Sequence, residues 1–189
     1  LSFTERGVGL NRNNTLMRSR ADICVLADDD EVFYDDYEKI IASAFDKLPQ
    51  ADILIFNIDE ITPKRYKNTK IKKINRFNFG RYGAVRLAFK RKIVSLNNIF
   101  FNLNFGGGTK YSCGEDTLFL KECIEKKLKI YAVPESFAKL TEERKSTWFE
   151  GYTDKYFFDK GVLYYFISKK FCSLLALFHC YKHRKNYET

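Results

Sequence analysis

The sequence predicts an α/β fold, and three observations carry that reading. Ile23-Cys24-Val25-Leu26-Ala27 is an apolar run too short for a helix, and it leads straight into Asp28-Asp29-Asp30. From Asp36 to Leu48, the residues Tyr37, Ile40, Ile41, Ala44, Phe45 and Leu48 fall on one helical face. Ile53 to Ile58 is then a second apolar run. Strand, helix and strand in that order favour parallel pairing through a right-handed crossover.

Taken in order, the chain opens with Gly7-Val8-Gly9 and a polar, weakly amphipathic stretch from Leu10 to Arg20, which reads as a loop feeding a helix. The first amides of such a helix could face an anion, although a Gly-x-Gly pair is more often a plain turn before a surface helix. Ile23 to Ala27 reads as a buried strand whose carboxyl end presents acids. In open α/β sheets ligands bind at that end of the strands. Three adjacent carboxylates repel one another, and a bound cation relieves the repulsion, so Asp28 to Glu31 is a candidate metal site.

Pro49 ends the helix over 36–48. After Ile58 the pattern breaks into a basic excursion, Lys64-Arg65-Tyr66-Lys67 and Lys70-Ile71-Lys72-Lys73, which reads as a solvated hairpin or loop rather than a nucleic-acid groove. Val85 to Val94 is expected to be a strand with one wet face bearing Arg86, Lys90, Arg91 and Lys92. Ile99 to Phe105 runs into Gly106-Gly107-Gly108. Glu115 and Asp116 then open a helix reaching about Lys127, with Leu118, Phe119, Cys123 and Ile124 on its buried side. On their own, two acids in a first turn are residues favoured by the helix dipole. Lys129 to Val133 is a further short strand, stopped by Pro134.

The C-terminal part has a different character. Lys155 to Tyr181 reads as a long aromatic helical region, with lysines flanking its apolar residues and His179, Lys182, His183, Arg184 and Lys185 at its end. Two readings fit: a helix lying on an anionic membrane surface, or a helix packed on the domain or on a second subunit in a homodimer. His179 and His183 stand four residues apart but have no acid motif beside them, and they read as tail residues rather than metal ligands.

Composition narrows the classes. With 189 residues, 45% hydrophobic and 16% aromatic, the chain can bury a core and is globular rather than disordered. The 33 basic against 24 acidic residues leave a net +9, which suits an anionic partner such as a nucleotide, a nucleic acid or an acidic membrane. Five cysteines without a C-x-x-C pair indicate neither a disulfide framework nor a zinc cluster, and a reducing compartment fits. No signal peptide is expected at the N-terminus, and no apolar run reaches the roughly 18 residues of a spanning helix. The chain starts at Leu1, in what reads as the middle of a domain.

Four separated elements together resemble the family 2 glycosyltransferases of GT-A fold, especially bacterial enzymes of capsular and exopolysaccharide assembly. They are Gly9-Leu10-Asn11-Arg12-Asn13, Val25-Leu26-Ala27-Asp28-Asp29-Asp30, Gly114-Glu115-Asp116, and Trp148 to Gly161 with its Gly151-Tyr152 and Tyr156-Phe157-Phe158-Asp159-Lys160-Gly161. The resemblance implies a Rossmann-like mixed, mainly parallel sheet flanked by helices. It lacks the first strands of that fold, so residues 1–145 would be a partial catalytic domain and 146–189 a helical extension packed on it or on a membrane.

The resemblance also implies roles. Asp28 and Asp30 match the D-x-D pair, with Asp30 ligating Mn²⁺ or Mg²⁺ on the diphosphate of a nucleotide-diphosphate sugar and Asp28 supporting the nucleotide or the metal. Asp29 joins them on the donor side. Arg12 stands near the phosphates or braces the carboxylates. Asp116 is the general base on the acceptor hydroxyl, and Glu115 orients it or binds the acceptor. The implied activity is inverting sugar transfer to a saccharide or lipid-linked acceptor, cytoplasmic or peripheral at the inner face of the plasma membrane. Two departures stand out. The strands that hold the base and ribose precede Leu1, and the histidine that many relatives place beyond the base is replaced by Leu140-Thr141-Glu142-Glu143, where Glu142 or Glu143 is the substitute. A catalytically inactive binding module and a metal-dependent nuclease are the competing readings; the second lacks a further well-spaced acid or histidine motif.

Overall fold

The structure, a computed structural model, describes residues 6–62, 65–140, 149 and 151–186. Lys64, Thr141, Glu142, Glu143 and Trp148, invoked above, lie outside the described residues. In chain order the elements are α1 (Val8–Arg18), β1 (Ile23–Val25), β2 (Glu31–Phe33), α2 (Tyr37–Lys47), β3 (Ile53–Asp59), β4 (Lys72–Lys73), β5 (Leu87–Lys90), α3 (Arg91–Leu96), α4 (Glu115–Glu125), β6 (Ile130–Leu140), α5 (Asp154–Ile167) and α6 (Cys172–His183). The sheet runs β1-β5-β3-β6-β2, with β4 paired to β6 off that path.

The pleat of β3 divides the core. Ile53 and Ile55 join Leu87, Phe89, Ile130 and the α4 residues Phe119, Leu120 and Cys123 on one face. Leu54 and Phe56 join Ala88, Phe137 and the α2 residues Ile41 and Phe45 on the other. A strand covered on both faces reads as an unbroken apolar run, which is why β3 was legible. Ile53, Leu54, Ile55 and Phe56 are fully buried, each stabilising by about 2 kcal/mol in transfer terms.

The fold is mixed α/β, as expected in class, but its sheet is not mainly parallel. β5 sits between β1 and β3 and is antiparallel to both, so β1 and β3 run the same way without touching. The β3–β6 ladder is the one parallel pairing between the strands named above. The α2 crossover thus carries the chain past one strand position, and the later β5 fills the gap. β1 is an edge strand, and its three residues are half-buried rather than buried.

Three segments depart from their sequence pattern. The expected strand over 85–94 is a strand only from Leu87 to Lys90. Helix α3 follows from Arg91, and Arg86 is buried instead of wet. Its Nε donates to the Phe56 carbonyl (2.7 Å) and its Nη2 to Asn57 Oδ1 (3.0 Å), which satisfies a cation that burial pushes below its usual pKa. Pro134 does not stop β6. It lies where the pairing with β3 shifts register, between Ala132 and Ser136, so no ladder donor is lost there, and its carbonyl accepts from Asn57 Nδ2 (2.8 Å). The C-terminal region is two helices rather than one. The chain breaks at Ser168, which is extended, and α6 folds back against α5. α5 in turn packs on α4 through Leu163, Leu118 and Phe105.

Candidate functional site

The acid stretch is positioned by the end of β1. Leu26 continues the ladder by donating its amide to the Leu87 carbonyl (2.9 Å), and the chain then reaches Asp28. Asp29 and Asp30 form a tight turn, closed by the Glu31 amide on the Asp28 carbonyl (3.4 Å), before β2 begins. Asp28 and Asp29 are exposed and Asp30 is half-buried.

Helix α1 delivers the counter-charge. Asn13 docks the helix on the segment before the glycine turn by a reciprocal pair, its Nδ2 donating to the Phe101 carbonyl (2.9 Å) and its Oδ1 accepting from the Phe101 amide (2.8 Å). Arg12, one residue earlier, forks between two elements. Its Nη1 donates to Glu115 Oε1 (2.7 Å) and its Nη2 to Asp28 Oδ1 (3.2 Å). The guanidinium also lies 5.5 Å from the centre of the Phe101 ring. Both hydrogen bonds of the guanidinium are thus to carboxylates. The Val8 amide at the start of α1 is taken by the Gly107 carbonyl (3.0 Å), so this donor faces the glycine turn and not an anion.

Helix α4 supplies the other two acids. It starts after Gly114, whose φ of 113° suits glycine and whose missing Cβ makes room for Leu163 of α5, 2.6 Å from where that atom would stand. Glu115 is buried against Arg12. Burial and the neighbouring Asp116 raise its pKa, and Arg12 opposes them. Asp116 is half-buried, with Oδ2 accepting from the Ala84 amide (3.1 Å) and Oδ1 from the Thr117 amide (2.6 Å). Arg12, Asp28, Glu115 and, next to it, Asp116 therefore gather at one place, from α1, the end of β1 and the start of α4. A cleft of about 490 Å³ opens beside them, lined by Asn11, Arg12, Thr15, Ile23, Val25, Asp28 and Phe101. Neither Glu115 nor Asp116 lines it.

Among the described residues, no group of three or more His, Cys, Asp or Glu side chains forms a ready metal cage. The donor set nevertheless fits a cation that brings phosphate ligands of its own. Both carboxylate oxygens of Glu31 are buried and meet no hydrogen-bond partner of good geometry among the described residues. Burial first, then Asp28 and Asp30, push its carboxyl up to about 8. Asp28 is raised as well: its side chain is half in contact with the protein, and the desolvation of that side adds to the charges of Asp30 and Asp29, with Arg12 opposing. A divalent ion would offset this crowding of negative charge.

Sequence reasoning included Glu31 in the acid run but gave it no role of its own. Nor did it give a role to Asp159, which accepts from the Ser112 amide (2.9 Å), the Ser112 hydroxyl (2.8 Å) and Lys155 Nζ (2.7 Å), and so ties α5 to the turn before α4. Burial opposes its ionisation, but those donors hold its pKa below the usual value. Its place in the Tyr156-Phe157-Phe158-Asp159-Lys160-Gly161 element was the available signal. His179 and His183 are not loose tail residues: they lie between α5 and α6, His179 Nε2 against the Tyr156 hydroxyl (3.0 Å) and His183 Nδ1 against that of Tyr152 (3.2 Å). Burial and neighbouring positive charge push His179 down to about 4.

No protein-family model matches the chain, and none of the curated proteins does. Solved structures match it at low identity. Against S. aureus TarS 1-349 in complex with UDP-GlcNAc, the TM-score is 0.67 at 14% identity, covering 97% of this chain and 54% of that one. Against S. aureus TarS 1-349 in complex with UDP it is 0.63 at 13% identity, covering 94% and 51%. This chain thus spans about half the length of those it matches. What they share is the architecture: a curled mixed sheet with flanking helices.

Proposed function

We propose that this chain handles donor and acceptor in a metal-dependent, inverting glycosyl transfer of GT-A type. The substrates are a nucleotide-diphosphate sugar and a saccharide or lipid-linked acceptor, in the assembly of cell-surface polysaccharide. The observation that carries the proposal is the Arg12 fork, which joins Asp28 at the strand end to Glu115 at the start of α4 and so brings the acid run and Asp116 to one site. The likeness of fold to TarS, solved with UDP-GlcNAc and with UDP, supports a uridine diphosphate sugar as the first donor to try.

In this reading Asp30 and Asp28 would hold Mn²⁺ or Mg²⁺ together with the diphosphate, with Glu31 a further oxygen donor at the end of the same turn. The cation, when bound, offsets charge developing on the leaving diphosphate. Asp29 lies on the donor side. Asp116 takes the proton of the acceptor hydroxyl, which attacks the anomeric carbon from the face opposite the leaving group and inverts it. Glu115, held by Arg12, orients Asp116.

The test is calorimetric titration of UDP-GlcNAc in the presence of Mn²⁺, followed by UDP release in the presence of saccharide acceptors. Asp30→Ala is expected to abolish metal-dependent donor binding. Asp116→Asn is expected to keep donor binding and to lose at least about a hundredfold in transfer. A folded protein that gives no heat with any nucleotide sugar would overturn the enzyme reading. One observation favours a second reading: both oxygens of Asp116 already accept bonds from the protein's own backbone. If that is their whole role, the chain is a binding module, and Asp116→Asn will lower the melting temperature and leave any transfer at the parent rate.

A further inference from the structure

Helix α6 is apolar on two sides, and α5 covers only one of them. Cys172, Leu175, Ala176, His179, Cys180 and His183, at helical spacing, form the half-buried side. Phe171, Leu174, Leu177, Phe178 and Tyr181 form the other, and they are 52%, 64%, 68%, 64% and 65% exposed. No residue of α6 is buried. Steps of three and four residues make these five side chains one continuous stripe along the helix.

Cations stand at both ends of the stripe and lean on its rings. Lys170 Nζ is 5.5 Å from the centre of the Phe171 ring, and Arg184 Cζ is 4.2 Å from that of Tyr181. Lys169 Nζ lies 5.7 Å from the Tyr165 ring at the end of α5. Between Asp159 and Glu188 the sequence has no acid at all. Lys182, Arg184 and Lys185 could be accounted for by the negative end of the helix dipole. Lys169 and Lys170 stand just past the negative end of α5 as well as before the positive end of α6, so the dipoles do not set the pattern alone; the absence of any acid over 160–187 leaves both ends of the stripe basic.

We propose that α6 lies flat on an anionic membrane surface. Leu174, Leu177 and Phe178 enter the boundary between headgroups and acyl chains, and Lys169, Lys170, Lys182, Arg184 and Lys185 meet anionic headgroups. The helix spans about 18 Å, which suits lying in the interface, and among the described residues no helix is long and apolar enough to cross a bilayer. A second copy is the less fitting occupant. Apposed identical stripes would set these cations against one another with no acid on either side to answer them. The inference goes beyond sugar transfer and stands without it.

The test uses the full chain with vesicles of phosphatidylcholine, either alone or containing phosphatidylglycerol. The bound fraction, measured by co-sedimentation, is expected to give an affinity about tenfold or more higher for the anionic vesicles, falling with added salt. Replacing Leu174, Leu177 and Phe178 together by serine removes exposed side chains only, and is expected to lower the affinity about tenfold with thermal melting unchanged. Lys169→Glu with Lys170→Glu is expected to abolish the preference for anionic vesicles. Equal binding to both vesicle types, no binding to either, or a triple variant that binds like the parent would each overturn the proposal. So would a parent that is dimeric, and a triple variant that is monomeric, by light scattering, with neither sedimenting; that result would assign the stripe to a second copy.

Discussion

Arg12 is the residue on which the site depends most directly. Its side chain and that of Glu115 are each only 11% exposed, so the pair is nearly dry, while Asp28 keeps one side to solvent. Removing one partner of a buried pair leaves the other charge without an answer. Arg12→Ala is accordingly expected to destabilise the fold by about 3 kcal/mol, read as a lower urea midpoint. Arg12→Lys should recover only part of this, because an ammonium cannot fork between two carboxylates on different elements. Combining Arg12→Ala with Glu115→Gln should recover more, since no buried charge is then left over. An Arg12→Ala protein as stable as the parent would show that the fork contributes no stability. Asp28, Glu115 and Asp116 were singled out as members of short local runs of acids, and Arg12 through the family resemblance. Asn13, Asp159 and Arg86 were not, because what defines each is a distant partner: Phe101 for Asn13, Ser112 for Asp159, and Phe56 with Asn57 for Arg86. Such a partner is known only once the chain has folded.

At the scale of elements, the turn over Gly106, Gly107 and Gly108 joins the two helices that bear the site. Gly106 has φ 101°, and a Cβ there would stand 2.5 Å from Val8 Cγ1 on α1 and 2.7 Å from Glu115 Oε2 on α4. Gly106→Ala is therefore expected to cost about 1–3 kcal/mol from the backbone alone, and to push Glu115 away from Arg12 as well. The check is a urea midpoint on Gly106→Ala and on Gly106→Ala/Arg12→Ala. The two substitutions should be less than additive, because the first already weakens what the second removes; strict additivity would separate the turn from the fork. Elements with one strong period were legible in advance, as with α2, β3 and α4. Elements set by their neighbours were not. The basic residues around β5 looked like a wet strand face until Arg86 found acceptors on β3. Pro134 looked like a stop until β6 met β3 with a register shift at that point. The short β2 has no pattern of its own and exists by pairing with the far end of β6.

For the whole molecule, the sheet closes almost entirely through partners remote in sequence. β6 is the extreme case: it pairs with β3 from Ile130 to Lys139, with β4 near its start and with β2 at its end. Asn57 and Pro134, bonded across the β3–β6 ladder, are 77 residues apart. Contacts of this range require loop closure before they return any stabilisation, so refolding should be slow for a chain of this size. In stopped-flow refolding, Ala132→Gly in β6 is expected to slow folding, whereas Val25→Ala on the edge strand β1 should mainly speed unfolding. The reverse pattern would place β1, not β6, in the folding nucleus. The same eleven residues also set an order of events during synthesis. On the ribosome, β3 emerges with Leu54 and Phe56 ready for the core, but the strand that flanks it on one side, and the Phe137 it packs against, follow some 75 residues later. The nascent chain must therefore keep an apolar strand unpaired along one edge until β6 arrives. The acid-bearing end of β1 can become rigid only after β5 has paired, and the sheet is complete only when nearly three quarters of these 189 residues have been made.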